Sequence, residues 1–144
     1  MTWQRSAQCR RYDPRWWDTE TYVRRGGNVA GRPDCATVGS IRRRLAIAAL
    51  CQGCPVAADC AATMCTTPAL MVGVIRAGVA GPHSTVPSRS SDTLRHLVAV
   101  AGGASPIDAV LDALDHVPAE VLPSIARARA RQPAPYLLPE GAGA

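Results

Sequence analysis

The sequence predicts a mainly α protein: a small helical domain gathered around a group of thiols, then a flexible linker and a short helical C-terminal extension. Three observations carry that expectation. Helix-start signals recur at Ser40, Pro55, Ser105-Pro106 and Pro118, each ahead of a stretch rich in Ala, Leu, Ile or Val. Cys51-Gln-Gly-Cys54-Pro-Val-Ala-Ala-Asp-Cys60 puts three thiols into ten residues. Between the helical regions, Gly81 to Ser91 holds Pro82, Pro87 and five Ser or Thr residues, which is a linker composition.

A chain of 144 residues and 15.1 kDa is one domain, or a small domain with an appendage. Much of its apolar content is Ala, and aromatic residues make up 4% with no Phe, so the expected core is thin. Domains of roughly 60 residues are marginal on burial alone. A bound metal or cluster that stabilises the folded state is therefore physically welcome. All sixteen basic residues are Arg, a compositional bias without functional weight by itself. Their placement is more informative. Residues 1–44 carry ten Arg against four acids, whereas residues 91–144 carry four Arg against six acids, so any nucleic-acid footprint is expected in the N-terminal part. No run of about 18 apolar residues exists to span a membrane, and Met-Thr-Trp-Gln-Arg-Ser lacks the apolar core of a signal peptide. The expected location is the cytoplasm. In that reducing compartment six cysteines read as ligands or redox groups rather than as a disulfide framework.

Taken in order, the first domain covers residues 1–80. Asp13-Pro14 is a helix-start signal for a short element carrying Trp16 and Trp17, either as large core residues or as a shield over a site. Residues 19–40, with Arg24-Arg25-Gly26-Gly27-Asn28, Gly31, Pro33 and Gly39, read as a loop insertion that contains Cys35. Ser40 then offers an N-cap for a helix over 41–50, with Ile41, Leu45 and Ala48 or Ala49 sharing a face and Cys51 delivered at its end. A second, Ala-rich helix is expected from Pro55 to about Cys65, and the apolar run from Ala69 to Gly78 reads as a short strand or turn. After the linker, 81–91, the extension is expected as three helices within 92–131: Asp92 to about Ala101, Pro106 to His116, and Ala119 to Arg131. Residues 132–144, rich in Pro, Gly and Ala, read as a disordered tail. Arg127, Arg129 and Arg131, at a spacing of two, scatter around a helix instead of lining up. His83, His96 and His116 read as surface or helix-end residues, and no phosphate-binding Gly loop, Ser-His-Asp set or paired-carboxylate signature is present, so no enzyme is expected.

The chemistry therefore rests on the cysteines. Two intervening residues let both sulfurs of Cys51 and Cys54 turn toward one ion, and Pro55 presets the next helical turn that brings Cys60 round. The unpaired N–H groups at such a helix start favour thiolate over thiol. Tetrahedral zinc and cubane iron–sulfur sites usually take four protein ligands, so a fourth must come from elsewhere. Cys65 lies five residues after Cys60, which turns the two sulfurs about 140° apart on a helix. Cys9 and Cys35 both remain, and geometry does not choose between them. A structural zinc module and a thiol–disulfide oxidoreductase using Cys51 and Cys54 are the alternatives to an iron–sulfur site.

The order of these motifs resembles a known family. Cys9 followed by Asp13-Pro14-Arg15-Trp16-Trp17, then Cys51-Gln-Gly-Cys54-Pro55-Val56 with Cys60, then Gly73-Val74, is similar to the WhiB-like family of actinobacteria and their phages. The likeness covers residues 7 to about 78. It implies a 4Fe-4S cluster on Cys9, Cys51, Cys54 and Cys60. It also implies a small transcription regulator whose cluster responds to oxygen or nitric oxide, with a sigma factor of RNA polymerase and promoter DNA as partners. This chain departs from the family pattern in three places. The interval of 41 residues between Cys9 and Cys51 is long, the family's Gly-Val-Trp-Gly-Gly turn reads Gly73-Val74-Ile75-Arg76-Ala77, and the segment after Ser91 is net acidic where the family often has a basic tail.

Overall fold

The pivot of the fold is one helix buried on two faces. In a computed structural model, which describes residues 3–7, 9, 37–81 and 91–130, this helix, α1, runs Val38–Cys51. Its N-cap is Thr37, whose hydroxyl accepts the Ser40 N–H at 3.1 Å, so the helix starts ahead of the expected Ile41 and Ser40 falls inside its first turn. Both residues are good caps. Starting at Thr37 also brings Val38 against the core, which starting at Ser40 would not. The expected face of Ile41, Leu45 and Ala48 packs against the C-terminal helices, while Ile47, Leu50 and Cys51 fill the opposite side.

Beyond α1 the chain turns through Gly53, which has φ +79°, and the Cys54 N–H donates to the Cys51 carbonyl at 3.1 Å. Helix α2 covers Ala57–Thr66, two residues later than Pro55 suggested, because Pro55 and Val56 form the turn that precedes it. A 3-10 turn over Pro68–Met71 leads to a small antiparallel hairpin, β1 Ile75–Arg76 and β2 Val79–Ala80, with Ile75 opposite Ala80 and Arg76 opposite Val79. Its two linking residues, Ala77 and Gly78, have φ of 51° and 80°, the signature of a type I′ turn whose twist matches the strands. The stretch read as a strand or turn is thus both.

Helix α3 covers Ser91–Ala101 and α4 covers Pro106–Asp112. Ser105 caps α4 as expected, accepting the Asp108 N–H at 3.2 Å. That helix stops short of His116. Asp112 and Asp115 would place carboxylates at the negative end of the helix dipole. A 3-10 turn over Ala119–Val121 precedes α5, Leu122–Ala130. One continuous helix from Ala119 is barred by Pro123, which has no N–H to donate to the Ala119 carbonyl; the Leu122 N–H takes that acceptor instead.

The expected C-terminal extension shares the core of the first region. Ile107, Val110, Val121 and Ala128 form one apolar cluster with Ile41, Leu45, Ala48 and Ala49. Leu97 and Val100 of α3 join Ala61 and Met64 of α2 with Met71 and Ala77 in a second. The described part is mainly helical, and none of its helices is long and apolar enough to cross a membrane. The element carrying Trp16 and Trp17, most of the loop with Cys35, residues 82–90 of the linker and the tail lie outside the described residues.

Candidate metal centre

Cys9, Cys51, Cys54 and Cys60 line a single cavity. Each reaches it by a different local device. Cys51 is the last residue of α1 and is buried against Leu50 and Ile75. Cys54 follows the Gly53 turn, and Cys60 sits in the first turn of α2, where its N–H donates to the Val56 carbonyl at 2.9 Å. Cys9 arrives from the N-terminal segment and packs against the cluster formed by Ile47, Leu50, Cys51 and Ile75. Cys65 does not line the cavity. Like Cys60, it packs against the core of Ala61, Met64 and Met71, but only Cys60 also reaches the cavity. Cys35 lies outside the described residues, so no distance bears on it.

The cavity has a volume of about 80 Å³, several times the ~10–15 Å³ that one water needs. Apart from the thiols its walls are mostly apolar, with Val56, Ile75 and Ala77 among them. Among the described residues, no three His, Cys, Asp or Glu side chains are drawn tightly enough together to grip a single metal ion. Lining one cavity and closing on one point are different demands, and the donor set meets the first. Four soft sulfur donors around a mostly apolar space fit a thiophilic metal group.

Two neighbours escaped the sequence reading. Trp3, on a 3-10 turn at Trp3–Ser6, contributes an aromatic wall, while Trp16 and Trp17, read as core residues or as a shield, lie outside the described residues. Its only signal in the sequence is closeness to Cys9. Arg76 lines the cavity from β1. Among the described residues its buried Nε has no hydrogen-bond partner, and neither has the buried Oε1 of Gln4, another lining residue. Buried polar atoms rarely stay unpaired in native structures.

The expected thiolate bias fails at Cys60. Burial pushes its thiol up to about 11, and Cys9 and Cys54 add to that, against the opposing pull of Arg76 and of the Ala77 N–H that donates to the sulfur. Desolvation outweighs the helix start. At neutral pH the metal-free Cys60 is a thiol, so a metal must displace its proton.

The frame around the cavity comes largely from the C-terminal helices. Gln52, between the paired cysteines, accepts the Ile107 N–H of α4 on its Oε1 at 3.2 Å. His96 of α3 is buried, not at a surface or helix end, and its Nε2 donates to the Ala77 carbonyl at 2.8 Å. Ala77 therefore links His96 to Cys60 through its two backbone groups. The arginine run on α1 is partly engaged internally: Arg42 donates to the Glu120 carbonyl at 3.2 Å, and burial lowers the Arg44 pKa, with Asp92 opposing. Comparison with family models, with curated proteins and with solved structures gives no match.

Proposed function

We propose that the protein is an iron–sulfur transcription regulator of the WhiB-like kind, responsive to redox state or nitric oxide and acting through an RNA polymerase sigma factor, DNA or both. One observation carries the reading. Cys9 and Cys51 are separated by 41 residues, yet they line one cavity with Cys54 and Cys60, the set that the family resemblance implies. Those four side chains would hold a 4Fe-4S cluster, which when bound supplies one-electron redox chemistry and reactivity toward oxygen and nitric oxide. The chain's part is to hold and shield it. Ile75, Val56 and Trp3 limit water at the thiols, and the Ala77 N–H donates to the Cys60 sulfur. Thiol ligation ties α1, the Cys51–Cys54 turn, α2 and the N-terminal segment together, so losing it removes folding free energy along with the bonds. The hairpin forms one wall of the cavity, and any partner surface beside it therefore depends on the state of the thiols. A reducing cytoplasm is the compartment this reading requires.

For DNA, support comes from the ten arginines among residues 1–44. The engagement of Arg42 and Arg44 moves that support away from α1 and toward the residues ahead of it. The test is anaerobic reconstitution followed by metal and sulfide analysis and by capture of RNA polymerase holoenzyme or promoter DNA. A brown protein with about four irons per chain is expected, retained by one of those partners. A colourless preparation holding only zinc would overturn the cofactor, and an iron-loaded protein that binds neither partner would overturn the regulatory role.

A further inference from the structure

Arg76 is the one cation that lines the thiol cavity, among the described residues. Its position is built, not incidental. It lies on β1 opposite Val79, one residue before a turn whose two residues both have positive φ. Beneath that turn a Cβ on Gly78 would lie 2.5 Å from the Pro106 side chain and 3.2 Å from Ala48, so the hairpin is pressed between α1 and α4. The Arg76 side chain is partly buried, and its buried Nε has no hydrogen-bond partner among the described residues. A hydrogen-bond donor carrying a charge, buried beside four thiols and lacking an acceptor, needs an anion to complete it.

We propose that Arg76 is a positioning residue that supplies the counter-charge and an N–H donor to the sulfur-ligated cluster, raising its reduction potential. The inference rests on the iron–sulfur reading above. A cluster bound by four thiolates is anionic and gains further negative charge on reduction. A fixed guanidinium beside it stabilises the reduced form more than the oxidised one. Net charge, hydrogen bonds to sulfur and solvent exposure are the levers that set such potentials, and Arg76 acts on the first two. The pull of Arg76 on the Cys60 thiol, opposite to that of burial, is the same interaction felt at a single sulfur. In the family pattern this position is Gly, so the device belongs to this chain.

The test is an anaerobic redox titration of the reconstituted full chain, read by the visible absorption of the cluster, with iron per chain and thermal melting measured alongside. Arg76→Gln keeps a polar N–H donor on a shorter side chain without charge, Arg76→Lys keeps charge without the Nε donor, and Arg76→Leu removes both. Arg76→Gln and Arg76→Leu are expected to retain iron and to shift the midpoint downward by about 60 mV, a tenfold change in the one-electron equilibrium. Arg76→Lys is expected to lie between them and the native chain. Native potentials in both Arg76→Gln and Arg76→Leu at full iron content would overturn the role of Arg76 and leave the iron–sulfur reading standing. Failure of the native chain to take up iron and sulfide would overturn both. If Arg76→Leu melts too low to load, Arg76→Gln and Arg76→Lys still decide, since equal potentials for these two contradict a counter-charge.

Discussion

Gly78 shows how little room the site's frame leaves. Its φ of 80° is in the left-handed region, and an added Cβ would meet Pro106 at 2.5 Å, so a side chain there brings backbone strain and a clash. Left-handed backbone costs about 1–2 kcal/mol for a residue with a Cβ, and overpacking adds about 1–3 kcal/mol. Gly78→Ala is therefore expected to destabilise the fold by about 2–5 kcal/mol, measured by urea denaturation; an unchanged midpoint would show that the hairpin is not held as described. At this scale the sequence was legible where chemistry is local. Cys51, Cys54 and Cys60 declare themselves by spacing, and Cys65 excludes itself by helical rotation. Arg76 and Trp3 were not legible as site residues, because nothing near them in sequence says which cavity a short hairpin or a 3-10 turn will face. The thiol bias at Cys60 was misjudged for a related reason: helix starts can be read from sequence, but the burial that outweighs them arises from tertiary packing.

Among the elements, α3 contributes a titrating group to the core. Burial lowers the His96 pKa from 6.5, Arg44 adds to that, and the bond to the Ala77 carbonyl opposes it. Above pH about 6.5 the imidazole is neutral in both states and pH has no effect through it. As pH falls below that value the unfolded chain takes a proton that the folded chain refuses, so stability drops with acidification. Asp108, paired with Arg129 at 2.8 Å, has its pKa lowered from 3.8 and matters only at lower pH. Melting temperature followed from pH 7 to pH 5 is expected to fall in the native chain and to fall less in His96→Gln, which keeps a donor for Ala77 but does not titrate. Parallel curves would contradict the assignment. Helices were the most legible part of the fold, since the face of Ile41, Leu45 and Ala48 and the Ser105 cap follow from period and cap chemistry alone. Their ends were less so. Thr37 and Ser40 are both good caps, and only the packing of Val38 separates them, while Pro123 breaks what looked like one helix into a 3-10 turn and α5.

At the scale of the molecule, the segment after the linker completes the core and props up the thiol cavity. Ile107 and Val110 close one face of α1, the Ile107 N–H bonds the Gln52 side chain, and His96 bonds the Ala77 turn. That integration was hidden by composition: a Pro- and Ser-rich stretch reads as a divider whether the parts on either side dock or not. The central claim is that residues far apart in the chain, Cys9 with Cys51, Cys54 and Cys60, make one metal centre. The most direct measurement is iron per chain after anaerobic reconstitution of single cysteine variants. Cys9→Ala, Cys51→Ala, Cys54→Ala and Cys60→Ala are each expected to lose the cluster, whereas Cys35→Ala and Cys65→Ala keep about four irons. A loaded Cys9→Ala alongside an iron-free Cys35→Ala would contradict the claim and move the fourth ligand to Cys35.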